Sequence, residues 1–279
     1  MKKIFTSILV ALIASACVFA GERTGIKIFK FNGVNVVGNC TEKGIDYSEE
    51  RKMSSFDKLE CSGPYNVYYV QSKESKVLVE GKKEDVEKLI TKVSGSTLSV
   101  KLEDGKYYSL VLRVTVYSPD LVNVSKSGSG NFVDDKGHKS DSDLHYSSAG
   151  SCTFKLDELS CGEFKVSKSG SGKVECGSLK CNGASFSSAG SGRVEIKQFE
   201  SKSDVDFKIS GSGHVDIEKM CVDGDLGLRI SGSGRMNFNG EVKGVVDASI
   251  SGSGNIFGDL KTGGLETHIA GSGSVKFSK

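Results

Sequence analysis

A tetrapeptide of the form Ser/Ala-Gly-Ser-Gly/Cys recurs along the second half of the 279-residue chain at a nearly constant spacing. Its eight copies are separated by 22, 20, 20, 21, 21, 20 and 19 residues, which random composition does not produce. They begin at Ser127, Ala149, Ser169, Ala189, Ser210, Ser231, Ser251 and Ala270. A fixed period of this length predicts a solenoid in which each turn of about 20 residues stacks on the preceding one.

The residues around each tetrapeptide alternate between apolar and polar. Val205, Phe207 and Ile209 precede Ser210, and Val215 and Ile217 follow it. Period-two alternation is typical of strands that bury one face. We therefore predict an all-β fold, a single-stranded parallel β-helix of about eight turns spanning residues 126–279.

The alternation keeps its parity through each tetrapeptide, which predicts that both glycines face the core and both serines face solvent. Glycine at an inward bend removes the side chain that would otherwise collide there. The outer serine hydroxyls are expected to form a hydrogen-bonded ladder. The glycines with this structural role are Gly128, Gly130, Gly170, Gly172, Gly190, Gly192, Gly211, Gly213, Gly232, Gly234, Gly252, Gly254, Gly271 and Gly273.

The N-terminus has the features of an export signal. Two lysines precede a short apolar run, and "VFA" ends at Ala20 before Gly21. We predict a signal peptide over residues 1–20 that is cleaved after Ala20, with lipidation at Cys17 as the alternative. This places the protein in the periplasm or at the outer membrane or cell surface of a Gram-negative bacterium. No later apolar segment is long enough for a membrane span.

The sequence before the repeats divides into a polar lead-in over residues 21–45 and a β-rich cap over residues 46–125. Five strand-like segments are predicted in the cap, together with one short helix in "KKEDVEKLITKV", residues 82–93. A cap would cover the strand edges at the first turn. The C-terminal end has no comparable segment, so self-association through that end is expected.

Three stretches together resemble the head GIN domain family of auto-transporter adhesins. They are "SSFDKLECSGPYNVYYVQ", "VLVEGKKEDVEKLITKVSGSTLSVKL" and the serial "ISGSG" turns, and the resemblance extends from about residue 50 to the end. It implies a right-handed β-helix, which agrees with the alternation, and a role in adhesion. It supplies no catalytic residues.

Seven cysteines remain beyond the signal peptide. Cys161 and Cys181 occupy equivalent positions in successive turns, so a disulfide between them is one interpretation. Buried free thiols are the other, because directly stacked positions are slightly too far apart for ideal disulfide geometry. The cysteine and histidine spacings do not match a zinc site, and the chain carries no cofactor signature, so neither a metal nor a cofactor is predicted.

The outward positions after the tetrapeptides carry alternating charges. The candidate patch comprises Lys173, Glu175, Arg193, Glu195, His214, Asp216 and Arg235. One hypothesis is a polysaccharide lyase or hydrolase, with Glu195 and Asp216 as paired carboxylates assisted by Arg193 or His214. The other is a solvated ladder of opposite charges that stabilises the strand register.

The function that this sequence favours is that of an exported, non-enzymatic adhesin or envelope-binding protein, whose partner is a glycan or a host or envelope protein. The alternatives left open are the carbohydrate-active enzyme and a purely structural periplasmic scaffold. A nucleic-acid partner is not expected, because 37 basic residues against 35 acidic ones leave no polybasic field.

Overall fold

The computed structural model describes residues 28–31 and 33–278. The predicted signal peptide, its cleavage site after Ala20 and the alternative lipidation site at Cys17 lie outside these residues. In the described part of the chain, no helix has the length and apolar character needed to cross a membrane.

The described chain is built almost entirely from strands. Before the repeats these are β1 (Ile28–Phe31), β2 (Val34–Val37), β3 (Tyr47–Lys52), β4 (Lys58–Ser62), β5 (Asn66–Gln71), β6 (Lys76–Gly81), β7 (Leu89–Ser94), β8 (Thr97–Leu102), β9 (Gly105–Tyr108) and β10 (Leu112–Ser118), with helix α1 (Lys83–Glu87) between β6 and β7. The repeats contain β11 (Asn123–Gly128), β12 (Phe132–Asp134), β13 (His138–Lys139), β14 (Leu144–Gly150), β15 (Thr153–Ser160), β16 (Glu163–Gly170), β17 (Lys173–Cys181), β18 (Gly183–Gly190), β19 (Arg193–Ser201), β20 (Val205–Gly211), β21 (His214–Val222), β22 (Leu226–Gly232), β23 (Arg235–Gly252), β24 (Asn255–Gly271) and β25 (Ser274–Ser278).

The repeats form a parallel β-solenoid of about seven turns, which confirms the predicted fold class. Each turn contributes one strand segment to each of two faces. The first face stacks β11, β14, β16, β18, β20 and β22, followed by the second halves of β23 and β24. The second face stacks β12, β15, β17, β19 and β21, followed by the first halves of β23 and β24 and then β25.

The tetrapeptide is the corner between the two faces, so the prediction that it runs inside one strand is wrong. β20 ends at Gly211, whose φ of 122° is a conformation that few residues other than glycine adopt. A Cβ there would lie 2.7 Å from the carbonyl oxygen of Gly190, one turn earlier, rather than in the core. The second glycine, Gly213, is buried, and its Cβ would lie 2.9 Å from the Gly192 carbonyl oxygen. Only the second glycine therefore faces the interior.

The serine hydroxyl ladder expected at these corners is replaced by a backbone ladder. The Ser212 amide donates to the Gly190 carbonyl at 3.1 Å, and the Ser233 amide donates to that of Gly211 at 3.0 Å. The corresponding serine hydroxyls form no side-chain hydrogen bond within residues 33–278. The corner serines are small exposed residues, and the stacked backbone satisfies its own polar groups.

Aromatic rings form a continuous column in the core. Phe164, Phe186, Phe207 and Phe238 come from different turns and are all buried. Their successive ring centroids lie 5.8, 4.7 and 5.1 Å apart. This packing joins the turns into one hydrophobic core and gives the outer faces a rigid support.

The solenoid begins earlier than the predicted boundary at residue 126. β4 pairs in parallel with β11, and β5 pairs in parallel with β12. The corner between β4 and β5 is Ser62-Gly63-Pro64-Tyr65, a diverged copy of the tetrapeptide in which Gly63 has a φ of 152°. β8 and β10 add a further parallel layer below. The N-terminal region is thus continuous with the repeats.

The N-terminal end of the solenoid is covered by antiparallel strands. β7 pairs with β8 on one face, and β6 and then β3 extend the other face beyond β10. The predicted helix over residues 82–93 ends at Glu87, because Leu89–Ser94 pairs as a strand with β8. Ile90, Thr91 and Val93 are β-branched and suit that strand.

The predicted polar lead-in also contains strands. β1 and β2 form an antiparallel pair, and β9 adds to β2 in parallel to make a small second sheet. Val36 is fully buried there. The segment predicted as a polar lead-in therefore contributes regular strands at residues 28–31 and 34–37.

The cysteines follow the buried side of the alternation. Cys152, Cys161, Cys176 and Cys181 are all buried. Cys161 and Cys181 are free thiols in the structure, so the disulfide interpretation is not supported. Parallel stacking holds equivalent side chains about 4.8 Å apart, beyond the usual Cβ separation of a disulfide.

Candidate functional site

The structure places the predicted patch residues in two adjacent columns on the outer side of the second face. Lys173, Arg193, His214 and Arg235 are stacked in register, one on each successive strand segment. Glu175, Glu195 and Asp216 form the next column in the same direction.

Charges of opposite sign meet between the two columns, whereas each column stacks charges of like sign. Lys173 Nζ lies 3.5 Å from Glu175 Oε1, and Arg193 Nη1 lies 3.1 Å from Glu195 Oε1. Asp216 Oδ1 accepts a hydrogen bond of 2.9 Å from Asn237 Nδ2. Solvent-exposed pairs of this kind contribute about 1 kcal/mol or less each. Both ion pairs join residues of a single strand, so they do not link neighbouring strands. They also do not enclose an acid and a base around a substrate bond.

A groove of about 600 Å³ lies along the carboxylate column. We call it the acidic groove, because seven carboxylates and only two ammonium groups line it. The carboxylates are Asp134, Asp135, Asp157, Glu175, Glu195, Asp216 and Glu218, and the ammonium groups are Lys155 and Lys197. The groove crosses five successive strands of the second face, from β12 to β21.

Asp134 is the most unusual residue of the acidic groove. It is only 1% exposed, and neither of its carboxylate oxygens has a hydrogen-bond partner of standard geometry among the residues that the structure describes. Burial raises its pKa to about 7, and repulsion from Asp135 acts in the same direction. The backbone amides of Lys136 and Gly137 lower that pKa in part, without forming hydrogen bonds to the carboxylate. A buried carboxylate without a partner is costly to a fold, and a group with such a shifted pKa in a groove is a candidate for a functional site.

Asp134 was missed by the sequence analysis, although the sequence contains a signal for it. It is stacked on Leu156, Cys176 and Ile196, which are inward and buried. A carboxylate in an apolar column breaks the alternation at one turn. Recognising the break requires the register of the irregular turn that contains residues 129–143, where the tetrapeptide spacing is longest.

The thiol in the acidic groove is not suited to nucleophilic chemistry. Burial raises the pKa of Cys176 to about 12, and the charges of Asp134 and Asp157 act in the same direction. The thiolate is the nucleophilic form, and it is scarce at neutral pH when the pKa is this high. Over residues 33–278, no group of three or more His, Cys, Asp or Glu side chains is arranged to hold a metal ion.

Comparison with known proteins identifies the family. A family model described as "Putative auto-transporter adhesin, head GIN domain" matches residues 55–220, a range that contains the whole acidic groove. The chain belongs to the head GIN domain family. No curated protein sequence matches this head GIN domain chain.

Solved structures with the same fold come from Parabacteroides and Bacteroides species. A structure described as a "putative adhesin" from Parabacteroides merdae has 20% identity and a TM-score of 0.75, over 86% of this chain and 99% of that one. A "putative lipid binding protein" from Parabacteroides distasonis has 22% identity and a TM-score of 0.75, over 86% of this chain and 100% of that one. The family model is described as an adhesin, as are the Parabacteroides merdae structure and two further structures, from Parabacteroides distasonis and Bacteroides fragilis. None of these names is that of an enzyme, and the likeness itself shows the fold alone.

Proposed function

We propose that this head GIN domain protein is an exported, non-enzymatic adhesin-like protein that binds a cationic polypeptide segment of an envelope or host protein along its acidic groove. The observation that carries the proposal is Asp134, a buried carboxylate without a partner at an otherwise apolar position of the groove. The lysine-containing N-terminus and the apolar run after it support export.

The shape of the groove suits an extended ligand. Five strands stacked about 4.8 Å apart give the groove a length of roughly 20 Å. An extended peptide advances about 3.3 Å per residue, so about six residues would span it. Lysine or arginine side chains of such a segment would face the carboxylates of successive turns, and the acidic excess would speed their approach.

The composition of the groove favours a polypeptide over a glycan. Its lining residues are aliphatic, acidic, basic, glycine or cysteine, and no aromatic residue is among those that the structure describes. Sugar-binding surfaces commonly place a flat aromatic ring against the apolar face of the sugar. The groove offers charge and no such ring.

The test is a titration with labelled decapeptides followed by fluorescence anisotropy. We expect a lysine-rich peptide to bind more weakly as salt is raised, and an acidic peptide of equal length not to bind. Glu218→Lys, at an exposed position in the groove, should weaken binding several-fold. Glu241→Lys makes the same charge change at an exposed position outside the groove and should leave binding unchanged.

Two results would contradict the proposal. Equal weakening by both variants would show that the peptide responds only to net charge. Turnover of an oligosaccharide by the wild-type protein, lost in Glu195→Gln or Asp216→Asn, would establish the glycan-cleaving alternative instead.

A further inference from the structure

The C-terminal end of the solenoid presents a layer of core side chains to solvent. Leu265 and Ile269 are 46% and 45% exposed. Their stacked partners one turn earlier, Val246 and Ile250, are 0% and 1% exposed. The side chains of the last turn are therefore of the core type, and nothing in the described part of the chain covers them.

The same end presents strand edges on both faces. The second half of β24 and the strand β25 pair with the turn before them, and no further strand within residues 28–278 pairs with their outer edges. Unpaired backbone N–H and C=O groups at such an edge are a template for another strand. A partner that also ends in an uncovered solenoid turn would supply both apolar side chains to pack against this end and strand edges to pair with it.

The opposite end presents a different surface, because helix α1 lies against its outermost strands. β3 and β7 are antiparallel outermost strands there, and α1 joins the two faces between β6 and β7. A head-to-tail stack would have to displace this cover. Two open ends can meet each other without rearrangement, and such a contact closes at two copies.

We propose that two copies of the chain associate tail to tail about a two-fold axis, with β24 pairing antiparallel to the partner's β24 at Thr267. This register is self-complementary. It places Leu265 opposite the partner's Ile269 on the inner side, and Glu266 opposite the partner's His268 on the outer side.

The second face follows the same symmetry. Centring β25 on Lys276 places Val275 opposite the partner's Phe277, and both side chains are partly buried against the core already. The two Lys276 side chains then lie opposite each other as an exposed like-charge pair. The dimer is consequently expected to tighten as salt is raised and in Lys276→Gln.

Sedimentation velocity of the full chain tests the association. We expect a dimer that dissociates on dilution, and a monomer for Leu265→Ser/Ile269→Ser at every concentration. Both side chains are already about half exposed, so the variant should keep the wild-type circular dichroism spectrum. Val245→Ser changes another exposed apolar residue, which lies in the preceding turn, and should remain dimeric.

Cysteine cross-linking tests the register independently. In a Cys221→Ser background, which removes the exposed thiol, Thr267→Cys should form an intermolecular disulfide on mild oxidation. Residues facing each other across an antiparallel pair have Cα atoms about 4.5–5.5 Å apart, within disulfide range. Ser233→Cys, exposed and two turns from the end, should not cross-link.

A monomeric wild-type protein at all concentrations would overturn the proposal. So would a dimer that survives Leu265→Ser/Ile269→Ser, or a cross-link at residue 233 as efficient as that at residue 267. These outcomes are independent of peptide binding, so they leave the function proposed for the acidic groove unaffected.

Discussion

Asp134 occupies a position at which the following turns carry Leu156, Cys176 and Ile196. Its burial raises the pKa of the carboxyl group to about 7, from an ordinary value of 3.8. A group whose folded-state pKa is raised stabilises the fold below its unfolded pKa, and that contribution is lost as pH rises through the folded-state pKa. Residue 134 should therefore make the protein less stable at pH 8 than at pH 5.

Asp134→Asn tests this at the scale of one residue. The amide cannot ionise, so the variant should lose this part of the pH dependence and should be more stable than wild type at pH 8, by up to a few kcal/mol. Urea unfolding at pH 5 and pH 8 measures both quantities. Asp141→Asn is the matched control, since Asp141 is exposed and is not among the charges that raise the pKa of Asp134. A wild-type stability that rises between these pH values in parallel with the variant would contradict the assignment.

Two buried lysines show how the residue type at one inward position changes along the solenoid. Lys126 and Lys168 are buried at the position where the later turns have Ile209 and Ile230. Lys126 donates to the Gly63 carbonyl at 2.7 Å, whereas Lys168 Nζ has no partner within the described residues. Alternation predicts that both side chains point inward. It does not show which ammonium group meets a carbonyl oxygen, because that carbonyl belongs to a corner 63 residues away.

At the scale of elements, Arg51 joins the pieces that cover the N-terminal end. Its guanidinium group donates to the Val86 carbonyl at the end of α1 at 3.0 Å and to the Leu89 carbonyl at the start of β7. It also pairs with Glu49 at 2.7 Å. One side chain on β3 thus holds the helix and the outermost strand of the other face.

Arg51→Met should loosen this cover, because two backbone carbonyls lose their donor while the apolar stem is kept. We expect faster hydrogen exchange in residues 47–52 and 83–94 and a melting temperature lower by several degrees. Lys52→Met, at the exposed neighbouring position, should change neither. Unchanged exchange in α1 and β7 would show that Arg51 does not hold them.

The repeat predicts most of the strands, because every turn has the same alternation of apolar and polar residues. The corner was misassigned because parity alone cannot distinguish a straight strand from a bend at Gly211, whose φ is positive. The first turn was missed because Pro64 and Tyr65 replace the second serine and glycine. The helix was extended too far because Leu89 and Val93 satisfy both periodicities, and pairing with β8 decides between them.

The candidate site was predictable only in part, for a related reason. The columns that contain Lys173 and Glu175 follow directly from the repeat, because each charged residue has the same offset in its turn. The remainder of the groove comes from the irregular turn around Asp134 and Asp135. Its register depends on pairing with β15, which no local pattern shows.

At the scale of the whole molecule, the two ends of the solenoid differ within residues 28–278, because a helix lies against the N-terminal end and the last described turn is uncovered. A tail-to-tail dimer would carry two acidic grooves on one rigid rod. Two weak sites that engage the same polymer or surface bind with an avidity that exceeds either affinity. The proposed dimer and the proposed binding groove would thus act together in adhesion.

The central claim is that a cationic ligand binds against Asp134. Calorimetric titration of the lysine-rich peptide at pH 7, in buffers of different ionisation enthalpy, measures the protons released on binding. Lysine side chains stay protonated at this pH, and a cation next to Asp134 lowers the pKa of its carboxyl group. We predict release of a fraction of a proton by the wild-type protein and none by Asp134→Asn. Two results would contradict the account. One is equal proton release by both proteins, and the other is peptide binding by the wild-type protein without any proton release.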